Sequence, residues 1–196
     1  QERLWELAAG LPEALGCFVI PGHPGTVDGP VRAAFEQAVA IARRLHFRPL
    51  DEPVSSMLLR VPPSKAVNFY QASRAATYVA LAEHPAICAG GTVFVEATCP
   101  EGIGLGSGEL ACARAMRRGR DELLRDLRSD APPHTSGGEQ RAYVLAMALE
   151  LVDIVLVGAP SIPELRDIGV TQRDAAPATD LVVDDPFHAL PILRRS

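Results

Sequence analysis

Aromatic residues are scarce in this chain of 196 residues: one Trp, three Tyr and six Phe. The core must therefore be built mainly from Ala, Leu and Val. Positive charge is also in deficit. Nineteen Lys and Arg face 24 Asp and Glu, a formal net charge of -5. That sign argues against a nucleic-acid partner, because phosphate binding calls for a basic surface. No apolar run reaches the roughly 18 residues of a membrane span, so no membrane partner is expected. No signal peptide is visible, and a cytoplasmic location is expected. The sequence opens on Gln1 rather than Met. A fragment of a longer protein, or a processed product, is therefore an expectation.

Several reactive motifs are missing as well. Cys17, Cys88, Cys99 and Cys112 form no CxxC and no zinc-like spacing. They read as small buried hydrophobes in a reducing compartment, with Cys99 set apart by its place after a strand. The histidines are His23, His46, His84, His134 and His188. No two stand three or four apart on a helix, which excludes a metal pair of the HExxH kind. Ser136 has no GxSxG context, so a hydrolase triad has no support. There is no GxxxxGK[ST] loop. The chain itself is expected to hold no metal.

What is present is an alternation of strands and helices. Residues 2–9 read as the end of a helix stopped by Gly10 and Pro12, and 17–20 as a short buried strand. A turn cluster covers 21–30. A helix follows over 31–45, with Ala34, Phe35, Ala38, Ile41 and Leu45 on one face. The order continues with a strand at 55–61, a helix at 66–83, and a strand at 92–98 opened by Gly90-Gly91. A helix from 109 to about 128, a loop at 129–138 and a helix at 139–151 come next. A buried strand at 153–159, a short helix at 162–167 and a short strand at 170–175 close the pattern. This order predicts an α/β fold: a three-layer, doubly wound, mostly parallel sheet with helices on both faces. One domain, 1–196, is expected, with 176–196 as an irregular tail.

Unusual chemistry concentrates in residues 62–108. Asn68, Tyr70, Gln71 and Arg74 cluster on one helix, and Gln71 and Arg74 are an i, i+3 pair. An Arg holds a carboxylate bidentately, and a Gln donates to a second oxygen. The same residues also suit an ordinary solvated helix face. The strand that follows ends in GIGLGSGE, 102–109, between Glu101 and Glu109. A helix start of this kind binds phosphate or carboxylate. The glycine spacing misses the dinucleotide fingerprint, and the strand does not open the domain. His23, in a glycine-proline loop, is the best single acid/base candidate, and His134 is similar. Glu139, Gln140 and Arg141 either line the same crevice or simply cap their helix.

The runs VPPSKAVNFYQASRAA and CAGGTVFVEATCPEGIG resemble the C-terminal domain of the lactate racemase family. The likeness rests on Tyr70-Gln71-Ala72-Ser73-Arg74, Gly90-Gly91-Thr92 and Glu101-Gly102, and spans roughly 15–165. It implies an enzyme that racemises or epimerises a small 2-hydroxy acid with a nickel pincer nucleotide. It also implies that Tyr70, Gln71, Arg74, Glu101 and Gly102 bind substrate or cofactor. Arg74 stands where the family usually has Lys. The family's tryptophan would fall near Glu139–Gln140 and is absent; Trp5 is distant. The family's cofactor lysine and histidines belong to an N-terminal domain, which is the implied partner. A noncatalytic domain binding a small acidic ligand or a partner protein is the alternative.

Overall fold

The computed structural model describes residues 15–131 and 134–194. The expected helix at 2–9, its stop at Gly10 and Pro12, and Trp5 lie outside the described residues. The chain forms two compact units, one ending at Phe47 and one beginning at Arg48.

In the first unit, β1 (Leu15–Val19) pairs antiparallel with β2 (Thr26–Pro30), and α1 (Val31–His46) follows. Ala34, Ala38 and Ile41 recur every three or four residues and bury against Ile20 and Val27. The hairpin corrects two expectations. The run 17–20 is not a fully buried strand, and the turn cluster 21–30 contains β2. A two-stranded ribbon has only one face to cover, so Cys17 is exposed rather than core.

The second unit holds a five-stranded parallel sheet. Its strands are β4 (Val54–Arg60), β5 (Ile87–Glu96), β6 (Asp153–Val157), β7 (Thr171–Arg173) and β8 (Leu181–Val183). They lie in the order β7-β6-β5-β4-β8. Five helices join them: α2 (Phe69–Ala80), α3 (Ser107–Met116), α4 (Arg120–Leu127), α5 (Gln140–Leu151) and α6 (Glu164–Ile168). Alternate strand residues face opposite ways. Met57, Leu59, Val93, Val95, Ile154 and Leu156 join the helices in the main core. Leu58, Phe94, Val155 and Val157 form a second buried cluster with Ala176. Both faces of the sheet are thus covered, and the three-layer, mostly parallel α/β class expected from the sequence is what the chain adopts.

Details differ where local geometry overrides pattern. Gly90-Gly91 does not open β5 but lies inside it, beside a register shift against Val54 and Ser56. A Cβ on Gly91 would come within 2.8 Å of the Ser55 carbonyl oxygen, so only glycine lets the strands approach there. The helix expected over 109–128 is two helices, broken at Gly119 with φ 84°. The tail is not wholly irregular either. It carries β8, an edge strand of the main sheet, and β9 (Leu190–Leu193), which pairs with β3 (Phe47–Leu50). Strands of three or four residues are too short to show a period.

Asp180 holds β8 in place. Its carboxylate accepts from the backbone N–H groups of Ser55 (3.0 Å) and Ser56 (2.9 Å), and its own N–H donates to Ser56 Oγ at 3.0 Å. These bonds hold the Asp180 carboxyl below its usual range. Because the folded group is the stronger acid, its stabilisation is present above the ordinary Asp pKa of about 3.9 and is lost as pH falls below it. Asp180→Ala is expected to loosen β8 at pH 7 and to remove this acid dependence. Faster hydrogen exchange of the Ser56 amide would show it; unchanged exchange would contradict it.

Candidate functional site

The site is built at the start of α2. Asn68 precedes the helix in an extended conformation, and its Oδ1 accepts from the Gln71 N–H at 3.0 Å. This is an N-cap. The Phe69 and Tyr70 N–H groups donate to the carbonyls of Gly102 (2.8 Å) and Ile103 (3.3 Å), so the loop after β5 satisfies the rest of the helix start. Asn68 is only 2 % exposed. Its Nδ2 donates to Glu101 Oε2 (3.2 Å) and to Glu109 Oε1 (3.1 Å). One amide thereby ties both carboxylates flanking the glycine loop to α2.

The loop's own amides are engaged. Gly102 N–H donates to Cys99 O, Gly104 N–H to Glu101 O, and Gly106 N–H to Glu109 Oε2 at 2.6 Å. Glu109 occupies the helix start where a phosphate would sit. These three amides do not point at a phosphate, and a nucleotide reading of the loop fails on them. Gly104 has φ 123°, and a Cβ there would overlap the Glu109 side chain. Cys99 is fully buried with φ 40°. Burial pushes its thiol up to about 12, which leaves it protonated and unreactive at neutral pH. Cys112 is raised to about 12 for the same reason.

Tyr70, Gln71 and Arg74 are half-buried on one face of α2. The Arg74 guanidinium lies 5.7 Å from the centre of the Tyr70 ring, a cation–π distance. Across from them, Arg141 on α5 donates from Nη2 to Thr77 Oγ1 at 3.0 Å. Burial, and then the positive charge of Arg74, hold the Arg141 pKa below its usual value. Gln71 Oε1 and Arg141 Nε are buried and have no hydrogen-bond partner. Of the two openings for residues 139–141, Arg141 takes the crevice. Glu139 takes the cap: its Oε2 accepts from Ser136 N–H and Oγ. Gln140 and His134 are exposed. His23 lies in the first unit, in the turn between β1 and β2.

Arg141 is one of the crevice alternatives that the sequence offers. One signal stood in the sequence: an arginine in a helix whose other residues are nearly all apolar. A separate groove of about 500 Å³ opens at the carboxyl ends of β4, β5 and β6, bordered by Arg60, Ala66, Glu96 and Thr98. That edge is where parallel sheets commonly place ligands. Its charges are already neutralised, since Arg60 pairs with Glu96 (3.2 Å) and Asp184 (2.8 Å). Among the described residues, no group of three His, Cys, Asp or Glu is placed to hold a metal ion. With both buried thiols protonated, this donor set does not fit a nickel centre. No helix among the described residues is long and apolar enough to cross a membrane.

No protein-family model matches the sequence, and no curated protein matches it. The solved structures similar in shape include two described by name. One is the lactate racemase apoprotein from Thermoanaerobacterium thermosaccharolyticum, with 15 % identity and a TM-score of 0.66 over 90 % of this chain and 45 % of that one. What is shared is the fold. The other is a protein from Thermotoga maritima, with 12 % identity and a TM-score of 0.56 over 98 % of this chain and 52 % of that one. The chain spans about half the length of each. The resemblance expected from the sequence is thus met at the level of fold.

Asn68 is the residue on which this arrangement turns. Asn68→Ala removes the cap and leaves two carboxylates without their shared donor, and is expected to cost about 1–3 kcal/mol. Asn68→Asp keeps an acceptor for the Gln71 N–H but sets a third carboxylate beside Glu101 and Glu109. Its penalty should shrink as pH falls through the carboxylate range, because like charges raise the new group's pKa. Chemical denaturation at pH 7 and pH 4 checks both; an Asp variant as stable as wild type at pH 7 would refute the bridge.

Proposed function

We propose that this chain is the C-terminal, ligand-gripping part of a racemase or epimerase acting on a small 2-hydroxy acid with a nickel pincer nucleotide. The observation that carries the reading is the half-buried first turns of α2. Tyr70, Gln71 and Arg74 lie together there, with the buried Gln71 Oε1 unpartnered. The shared fold with lactate racemase apoprotein, over less than half that chain, adds support.

Racemisation at a hydroxyl-bearing carbon through a transient 2-keto acid needs a hydride acceptor and a base on each face. The nucleotide supplies the acceptor when bound. On this reading it is held by an N-terminal domain outside the present chain, since the residues here do not suit the metal. The chain's own contribution is positioning. Arg74 holds the substrate carboxylate, Gln71 Nε2 donates to a second oxygen while its Oε1 accepts from the 2-hydroxyl, and the Tyr70 ring supports the guanidinium from one side. Asn68, Glu101 and Gly102 keep the start of α2 fixed while this happens. Arg74 in place of the usual Lys changes reach and geometry, so a substrate other than lactate is favoured. That substitution also favours the second reading, a noncatalytic domain that binds a small acid.

The test is racemisation of a panel of 2-hydroxy acids by the full-length, cofactor-loaded protein, with nickel content measured in parallel. Arg74→Ala is expected to lower kcat/KM by about 100-fold or more, as for other lost buried charge contacts. Arg74→Lys should recover part of it. No racemisation of any member by nickel-loaded protein would overturn the enzyme reading and leave the binding domain.

A further inference from the structure

Several of the described arginines pair with carboxylates. Arg60 has Glu96 and Asp184, Arg117 has Glu164, Arg118 has Glu122 and Asp126, and Arg128 has Glu150. Arg74 and Arg141 do not, and Arg141 is set apart because its Nε is buried without a partner. Neither has a carboxylate partner among the described residues, although acidic residues outnumber basic ones in the chain. They come from different helices, α2 and α5, yet after burial the charge of Arg74 is the largest electrostatic influence on Arg141. Thr77, one turn along α2 from Arg74, joins the two helices: its Oγ1 accepts from Arg141 Nη2 and donates to the backbone carbonyl of Arg74 at 3.1 Å.

Two like charges held together, one of them largely withdrawn from water, oppose folding unless something compensates them. Arg141 keeps its proton at neutral pH in any case. Its Nε–H is buried with nothing to donate to. A guanidinium with a free Nε edge, next to a second guanidinium, is the donor set that recognises an oxyanion through paired bonds.

We propose that Arg74 and Arg141 together form a seat for a small dianionic ligand, with Arg141 as a specificity-determining residue. The ligand class is an oxyanion of charge about -2: a dicarboxylate or a phosphate-bearing acid. This deepens the substrate-binding reading of Gln71 and Arg74, and rests on it for the claim that the ligand is also the substrate. Arg74 takes one charged group and Arg141 the other, or both grip one phosphate. A simple monocarboxylate neutralises only half the seat.

Binding of succinate, inorganic phosphate and acetate to the 196-residue chain tests this, by calorimetry and by thermal shift at fixed ionic strength. Succinate, phosphate or both should bind at least 10-fold tighter than acetate; which one does so identifies the source of the dianion. Arg141→Met should melt no lower than wild type without ligand, since it removes an uncompensated buried charge, and should lose the dianion preference. Arg141→Lys keeps the charge but not the fork, and should weaken dianion binding several-fold. The proposal is overturned if neither dianion binds, if acetate binds as tightly, or if either variant binds dianions like wild type. Failure of racemisation alongside intact dianion binding would remove the enzyme reading and leave the seat. Racemisation that is indifferent to Arg141→Met would do the reverse.

Discussion

A single buried amide holds the candidate site together. Asn68 caps α2 through its oxygen and bridges Glu101 and Glu109 through its nitrogen. All three contacts are satisfied, which is what allows a polar side chain to be almost wholly buried. The consequence runs outward. The start of α2 is locked to the loop after β5, and the loop's amides turn inward onto their own carbonyls and onto Glu109. A glycine-rich loop that would otherwise invite a phosphate becomes a structural clasp. On the proposed reading, the ligand surface lies instead on the next turn of the helix, with Gln71 and Arg74.

That displacement explains why the site does not coincide with the groove at the carboxyl ends of the strands. There, Arg60 is neutralised twice over. On the α2 face the cations are unneutralised, and a buried donor and a buried acceptor are unmatched. Unmet polar groups cost free energy in the free protein; on the proposed reading an anionic ligand satisfies the Arg141 donor and a ligand hydroxyl the Gln71 acceptor. On that reading the chain is a gripping surface. It offers cations and an amide, but no thiolate and no cluster of metal ligands among the described residues.

Much of the fold was legible because the long elements carry clear periods. The β-branched run TVFVEAT sits in β5, the apolar DIVLV forms β6, and the helical stripe ending at Ile41 forms α1. The errors fall where a period has no room to show. β8 and β9 are too short, and Gly119 breaks a helix through one left-handed residue. Within the site, Tyr70, Gln71, Arg74 and Asn68 could be read because they are neighbours in sequence. The role of Arg141 could not, because its contact with Thr77 joins residues 64 apart. Nor could the inward turn of the loop amides, which depends on where the Asn68 amide and the Glu109 carboxylate meet.

On the proposed reading, ligand recognition belongs to the α2 face rather than to the strand-end groove or the glycine loop. A crystal structure of the chain grown with succinate tests it most directly. The account predicts a carboxylate against Arg74, within reach of Gln71 and Arg141, with the Asn68–Glu101–Glu109 bridge intact. Succinate bound instead beside Arg60, or on the amides of 102–106 with Glu109 displaced, would contradict it.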